Sequence, residues 1–167
     1  MTKTYYIFRH GQTYATKAGT DYIDDPNPGI LAEGIPTIKK LGEYLKGKPT
    51  HKNFTSEYLR CKMTSQLVSE ITHQKFITDP LLNEWVTPPL EPAETFESLH
   101  ARLTKFVSKL KNSTHNSFAI CTHGALITGL KMLLLNQNFT RHGAYFCPDP
   151  GVLTVIKNRE VGEINFN

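Results

Sequence analysis

Cysteine is scarce in this chain. Cys61, Cys121 and Cys147 are an odd number in 167 residues, widely spaced and without a CxxC pair. That excludes a disulfide framework and suits a reducing compartment; each reads as a small core or loop residue. Long apolar runs are missing too. The densest stretch, residues 125–135, is interrupted by Thr128, Gly129 and Lys131 and falls short of a membrane span. Residues 1–10 lack the charged region, apolar region and cleavage site of a secretory leader, so a cytosolic address is expected. No internal repeat or low-complexity stretch occurs. The seven histidines show no HExxH or other close ligand spacing, so neither a metal site nor a cofactor is expected. A dense basic stripe is also lacking. The net charge is +4, and only Lys39-Lys40 and Lys46/Lys48 cluster loosely, which argues against nucleic acid as a partner. A mild positive charge would instead help attract an anionic, phosphorylated substrate.

What is present is the composition of one globular domain, 1–167, with 39% hydrophobic and 20% charged residues. Strands are expected at 4–9, 52–55, 76–78 and 117–122, with a terminal hairpin of 152–157 and 161–166. Helices are expected at 32–45, from Ile35, Ile38, Leu41 and Leu45, with Gly47 and Pro49 as stop signals. A second runs from a Ser56 N-cap to about Thr72, a third from a Thr95 cap to about Leu110, and a fourth covers 125–135. Residues 10–30 read as a loop, and 83–94, with Pro88, Pro89 and Pro92, as irregular connection. Strands alternating with helices predict an α/β fold: a three-layer sandwich with a mostly parallel sheet and helices on both faces.

Two strands end in histidine followed by glycine, Phe8-Arg9-His10-Gly11 and Cys121-Thr122-His123-Gly124. In a parallel sheet these ends lie on one edge, where ligands of such folds bind. An arginine grips an oxyanion through two N–H groups, and a neutral imidazole can attack it. His123 also precedes a helix, whose first N–H groups favour an anion. Arg60 falls in the first turn of a helix after a short strand, facing the same edge. A second Arg-His-Gly, Arg141-His142-Gly143, follows a polar stretch with no strand behind it and reads as a surface or pocket-rim segment. His51, His73, His100 and His115 lie on polar segments as well.

Arg-His-Gly with Thr13, the Ser56…Leu59-Arg60…Thr64 pattern, an acidic residue after Leu82 and Thr-His-Gly at 122–124 together resemble the histidine phosphatase superfamily, also called phosphoglycerate mutase-like, over about residues 4–157. The resemblance implies a nucleophilic His10 that forms a phosphohistidine. It implies that Arg9, Arg60 and His123 bind the phosphoryl oxygens, with Gly124 and Thr16 as further phosphate contacts. Glu84 falls at the place of the proton donor, with Glu91 and Glu94 as competitors in the same connection. A carboxyl acid needs a raised pKa, which a pocket beside Trp85 could provide. Thr16 stands where many members have asparagine, Glu57 and Cys61 where proline and alanine are common, and Ala32 where threonine is frequent. Only ten residues, 85–94, separate Glu84 from Thr95, which resembles the compact phosphatase branch and implies an open site for a phosphorylated small molecule or a phosphoprotein. A phosphoglycerate-type mutase and a non-enzymatic phosphate-binding module are the alternatives.

Overall fold

The computed structural model describes residues 2–20, 22, 24–48 and 50–167; Pro49, expected as a stop signal, lies outside them. Six strands of the described residues form one sheet: β1 (Thr4–Arg9), β2 (Lys52–Thr55), β3 (Phe76–Thr78), β4 (Ser117–Thr122), β5 (Val152–Lys157) and β6 (Glu160–Asn165), in the order β3-β2-β4-β1-β5-β6. The first four are mutually parallel, and β5 and β6 close one edge antiparallel. Among the described residues, five α-helices complete the fold: α1 (Tyr14–Ala18), α2 (Ile35–Lys46), α3 (Leu59–Thr72), α4 (Phe96–Lys111) and α5 (Gly124–Leu134).

Side chains alternate across the central strands and so feed two cores. Tyr5 and Ile7 of β1, with Phe118 and Ile120 of β4, pack with Leu99, Leu103 and Phe106 of α4 and Leu126 and Leu130 of α5. Phe8, Ala119 and Cys121 point the other way, to Ile38, Leu41 and Leu45 of α2 and Cys61 and Val68 of α3. Each fully buried Leu, Ile or Phe contributes about 1.5–3 kcal/mol, so both sheet faces are held apolar and the strand ends are free for polar chemistry.

Four local differences from the sequence reading have plain causes. The loop at 10–30 contains α1, which starts at Thr13 through a reciprocal capping box with Thr16. Five residues are too few to show a helical period, and the threonine at N3 hides the box. A 3-10 turn, Ala32–Gly34, precedes α2, so the α-helix itself begins at Ile35 with Pro36 in its first turn. Ser56 is not the cap of α3. Tyr58 holds that position, and the Ser56 hydroxyl accepts from Tyr58 N at 3.2 Å while serving the site described below. The terminal hairpin turns on two residues, Asn158 and Arg159, both at positive φ (54° and 65°), which starts β6 at Glu160. Thr95 caps α4 as expected, accepting from Ser98 N.

Candidate active site

β2, β4 and β1 are neighbours whose C-terminal ends are level. Arg9 pairs with Thr122 and Thr55 with Cys121, and the ladder continues one bond further, from His10 N to Thr122 O (3.0 Å) and from Ser56 N to Cys121 O (3.1 Å). His10, Ser56 and His123 therefore leave three adjacent strands at one height. Both imidazoles are fully buried, with ring centroids 5.2 Å apart.

The backbone fixes the tautomer of His10. Its Nδ1 lies 2.8 Å from Gly11 O, and a carbonyl can only accept, so Nδ1 carries the proton. Nε2 keeps its lone pair and is buried without a hydrogen-bond partner. Burial, then the nearby His123, Arg60 and Arg9, hold the pKa of His10 well below the ordinary imidazole value. The ring is thus a neutral base at pH 7. Gly11 is itself held: its N–H donates to Thr64 Oγ1 (2.8 Å), and the Thr64 hydroxyl donates to Arg60 O (2.7 Å), tying the nucleophile loop to α3.

His123 is bracketed on both nitrogens. Nδ1 lies 3.1 Å from Glu84 Oε2, and Nε2 lies 2.9 Å from Ser56 Oγ, with the Cys61 sulfur at 3.5 Å. Burial disfavours its charged form, but Cys61 and the Glu84 carboxylate outweigh this and raise its pKa. Burial pushes the Cys61 thiol well up, so it is no nucleophile. Ser56 donates in turn to Asn83 Oδ1 (3.0 Å), which also accepts from Glu57 N (2.9 Å), and Asn83 Nδ2 donates to the Glu57 carboxylate (2.9 Å). This relay leaves the Ser56 oxygen to accept from the His123 Nε2–H, a role its sequence position does not reveal.

Arg60 is 1% exposed, yet its guanidinium meets the cleft. It stacks on Tyr22 and Tyr58 (4.3 and 4.7 Å to the ring centroids), donates to Pro26 O (3.3 Å) and lies 3.6 Å from Glu84 Oε2. Tyr22 is a cleft residue that the loop reading of 10–30 passes over. Arg9 donates to Pro148 O at 3.2 Å, and the Nε atoms of both arginines are buried without partners.

Of the three acidic candidates, only Glu84 faces the histidines. Glu94 forms a two-pronged pair with Arg102 (2.7 Å from Nε to Oε1 and 2.7 Å from Nη2 to Oε2), and Glu91 is exposed and accepts from Ala93 N. The loop that presents Glu84 is clamped. Thr122 Oγ1 donates to Leu82 O (2.8 Å), and Arg102 donates to Leu81 O (2.8 Å) and Glu84 O (3.3 Å). The raised carboxyl pKa expected beside Trp85 is not what the fold produces. Burial does push it up, but His123, Arg60 and Arg9 outweigh burial and hold Glu84 far below the usual carboxylate range.

Gly124 opens α5 beside Arg9, where an added Cβ would lie 2.6 Å from Cys147 Sγ and 3.3 Å from Arg9 Cζ. Gly124→Ala is expected to raise the KM for a phosphomonoester roughly tenfold by displacing the guanidinium, a loss of about 1.4 kcal/mol. A KM within twofold of wild type would show that Arg9 has slack. Thr16 is not brought to the cleft. Its hydroxyl is committed to Thr13 in the capping box, and it lines a separate, smaller hollow with Gln12 and Glu33. His142 is exposed, as its polar surroundings predict. Cys61 and Cys121 are core residues, and Cys147 sits exposed on the cleft rim.

His10, Glu84 and His123 bring three possible metal-ligand atoms within 4.8 Å of one another, a cluster that spacing along the chain does not reveal. Two guanidinium charges and a His123 of raised pKa stand against the single Glu84 carboxylate, so the pocket is built for an anion more than for a cation. The cleft above it has a volume of about 740 Å³.

A cationic pocket around a neutral histidine, at the carboxyl edge of an α/β sheet, is a site built to hold an anion against a nucleophile. The profile of the histidine phosphatase superfamily, branch 1, matches residues 5–91 and 85–163, and the chain belongs to that superfamily. Its fold is similar to that of the α-ribazole phosphatase of Shigella flexneri (17% identity, TM-score 0.77, 97% of this chain and 95% of that one). It is also similar to a mycobacterial glucosyl-3-phosphoglycerate phosphatase (16%, TM-score 0.78, 94% and 91%) and to the phosphoglycerate mutase of Bacillus anthracis (16%, TM-score 0.78, 99% and 94%). No curated protein matches the chain in sequence. No described helix is long and apolar enough to cross a membrane.

Proposed function

We propose that this chain is a phosphatase that hydrolyses phosphomonoesters through a covalent phosphohistidine on His10, with its own cationic side chains in place of a metal. The observation that carries the reading is the unpartnered, neutral Nε2 of His10 on the floor of a pocket framed by Arg9, Arg60 and His123. In the first step the Nε2 lone pair attacks phosphorus, and the bond from phosphorus to the ester oxygen breaks. The leaving oxygen takes a proton from Glu84. In the second step water attacks the phosphohistidine, Glu84 accepts the water's proton, the P–N bond breaks and inorganic phosphate leaves. Arg9, Arg60, His123 and the N–H of Gly124 hold the equatorial oxygens, where charge stabilisation contributes most to phosphoryl transfer.

Glu84 is ionised in the free site because cations face it. A bound phosphoryl group cancels those charges, and burial, the opposing influence on Glu84, then prevails. Binding and protonation of the acid are coupled in this reading. The same coupling makes a Glu84 free of phosphate a poor acid.

The test is a rapid quench with a radiolabelled phosphomonoester. The expected result is acid-labile, base-stable phosphate on His10, with inorganic phosphate released in step with the alcohol. Isomerised ester without free phosphate would point to a mutase. Neither labelled His10 nor turnover of any phosphomonoester would overturn the enzyme reading.

A further inference from the structure

The cleft has two chemically distinct halves. The inner half is the cationic pocket. The outer half is walled by Trp85, Tyr145, Val86 and Leu90, with the Trp85 and Tyr145 rings 5.7 Å apart. Trp85 is 8% exposed, and its indole N–H already donates to Glu94 O at 2.9 Å, so it offers the cleft only carbon. Tyr145 is 61% exposed, an aromatic ring of that size left in water at the mouth of a cavity. Large exposed apolar surface at a cleft marks where a ligand packs.

The charges of the outer half matter as much. Among the described residues lining it, the one cation beyond Arg9 and Arg60 is Arg102, and it is spent. Its Nε and Nη2 take both oxygens of Glu94, and its Nη1 and Nη2 donate to the carbonyls of Leu81 and Glu84. No described lysine lines the cleft, and the remaining outer charge among the described residues is the exposed Glu91 carboxylate. A second anionic group on a substrate would meet a carboxylate and no free donor of positive charge. Desolvating such a group without a partner is costly.

We infer that the substrate is a phosphomonoester whose leaving alcohol is uncharged and carries a flat, aromatic or apolar group, and that esters of small acids bearing a second anion are rejected. The inference rests on the phosphatase reading above and names the class of ester that the same site takes. Trp85 and Tyr145 would stack on the flat group while the phosphoryl end sits among Arg9, Arg60 and His123. Tyr145 is then a specificity residue for the leaving group.

The test compares three esters whose leaving groups are all simple alcohols: 2-phenylethyl phosphate, ethyl phosphate and 3-phosphoglycerate. Wild type is expected to show a kcat/KM for the phenylethyl ester roughly tenfold above that for the ethyl ester, as burial of a ring against aromatic walls provides, with 3-phosphoglycerate lowest. In Tyr145→Ala the ratio of phenylethyl to ethyl activity should fall about fivefold. The ratio cancels any loss of folded protein. Leu90→Lys, which supplies the missing cation, should raise 3-phosphoglycerate turnover relative to the ethyl ester about tenfold. Wild type preferring 3-phosphoglycerate, or a ratio unmoved by Tyr145→Ala, would overturn the inference while leaving a working phosphatase. Absence of turnover of all three esters, with no label on His10, is the separate failure of the phosphatase reading and takes the inference with it.

Discussion

His10→Ala is expected to lower kcat by on the order of 10⁴-fold or more, the scale seen when a covalent nucleophile is removed. The reason lies in how completely the backbone prepares this ring. The Gly11 carbonyl dictates the tautomer, and Thr64 holds Gly11. No other described side chain offers a free lone pair at that point: His123 turns Nε2 to Ser56 Oγ and Nδ1 to the Glu84 carboxylate, both of them acceptors, and the Cys61 thiol is held protonated by burial. His10→Gln, which keeps much of the volume, should be equally inactive while retaining the thermal midpoint within a few degrees. The ring has a pH signature as well. His10 is held below the ordinary imidazole value and His123 above it. A group with a lowered folded pKa stabilises the fold above its unfolded pKa, about 6.5 for histidine, and that contribution is lost as pH falls through the folded value. A raised group works the other way: the His123 contribution is full below about 6.5 and is lost as pH rises through its folded pKa. Ring titration by NMR, assigned with His10→Gln, should find one imidazole on each side of 6.5. Two rings titrating together near 6.5 would contradict the pocket electrostatics.

Glu84→Gln carries the second large effect, and its size should depend on the leaving group. With 2-phenylethyl phosphate, whose alkoxide needs a proton to depart, kcat is expected to fall about 10³-fold, within the range for loss of a general acid. With 4-nitrophenyl phosphate, whose phenolate leaves unprotonated, formation of the phosphohistidine should slow less than tenfold. Its hydrolysis should still suffer, because the same carboxylate accepts the water's proton. A burst of nitrophenolate followed by slow turnover is the expected trace. Equal slowing of phosphohistidine formation from both esters, read from the burst phase, would assign Glu84 to holding His123 instead of moving protons. The isosteric amide keeps the hydrogen bonds that clamp this loop, since those run through the Leu82, Leu81 and Glu84 carbonyls and not the side-chain carboxylate.

The parts of the site legible in the sequence are those tied to strand ends. Arg9, His10 and His123 follow short apolar runs, and a parallel sheet brings such ends together whatever lies between them. Arg60 is readable from its place in the first turn of a helix. Glu84 is readable only as one of three acids, and what separates it from Glu94 is Arg102, eighteen residues further along the chain on α4. Ser56 satisfies the pattern of a cap because it precedes a helical period, while its real partners, Asn83 and His123, are non-local. The resemblance implies a phosphate contact for Thr16, and a local capping box claims its hydroxyl first. The direction of the Glu84 shift was unreadable for the same reason: Trp85 is its neighbour in sequence, whereas the cations that decide it arrive from β1, α3 and the end of β4.

The position of β4 carries a consequence for how the molecule acquires activity. It is fourth in chain order but central in the sheet, between β2 and β1. A chain emerging from its N-terminus has no completed ladder linking the His10 strand to the Arg60 segment until residues 117–122 slot between them. Pairings that span such distances along the chain form late and slowly. Regain of catalysis after dilution from denaturant should therefore trail the recovery of helical signal, and activity becomes a reporter of the insertion of β4.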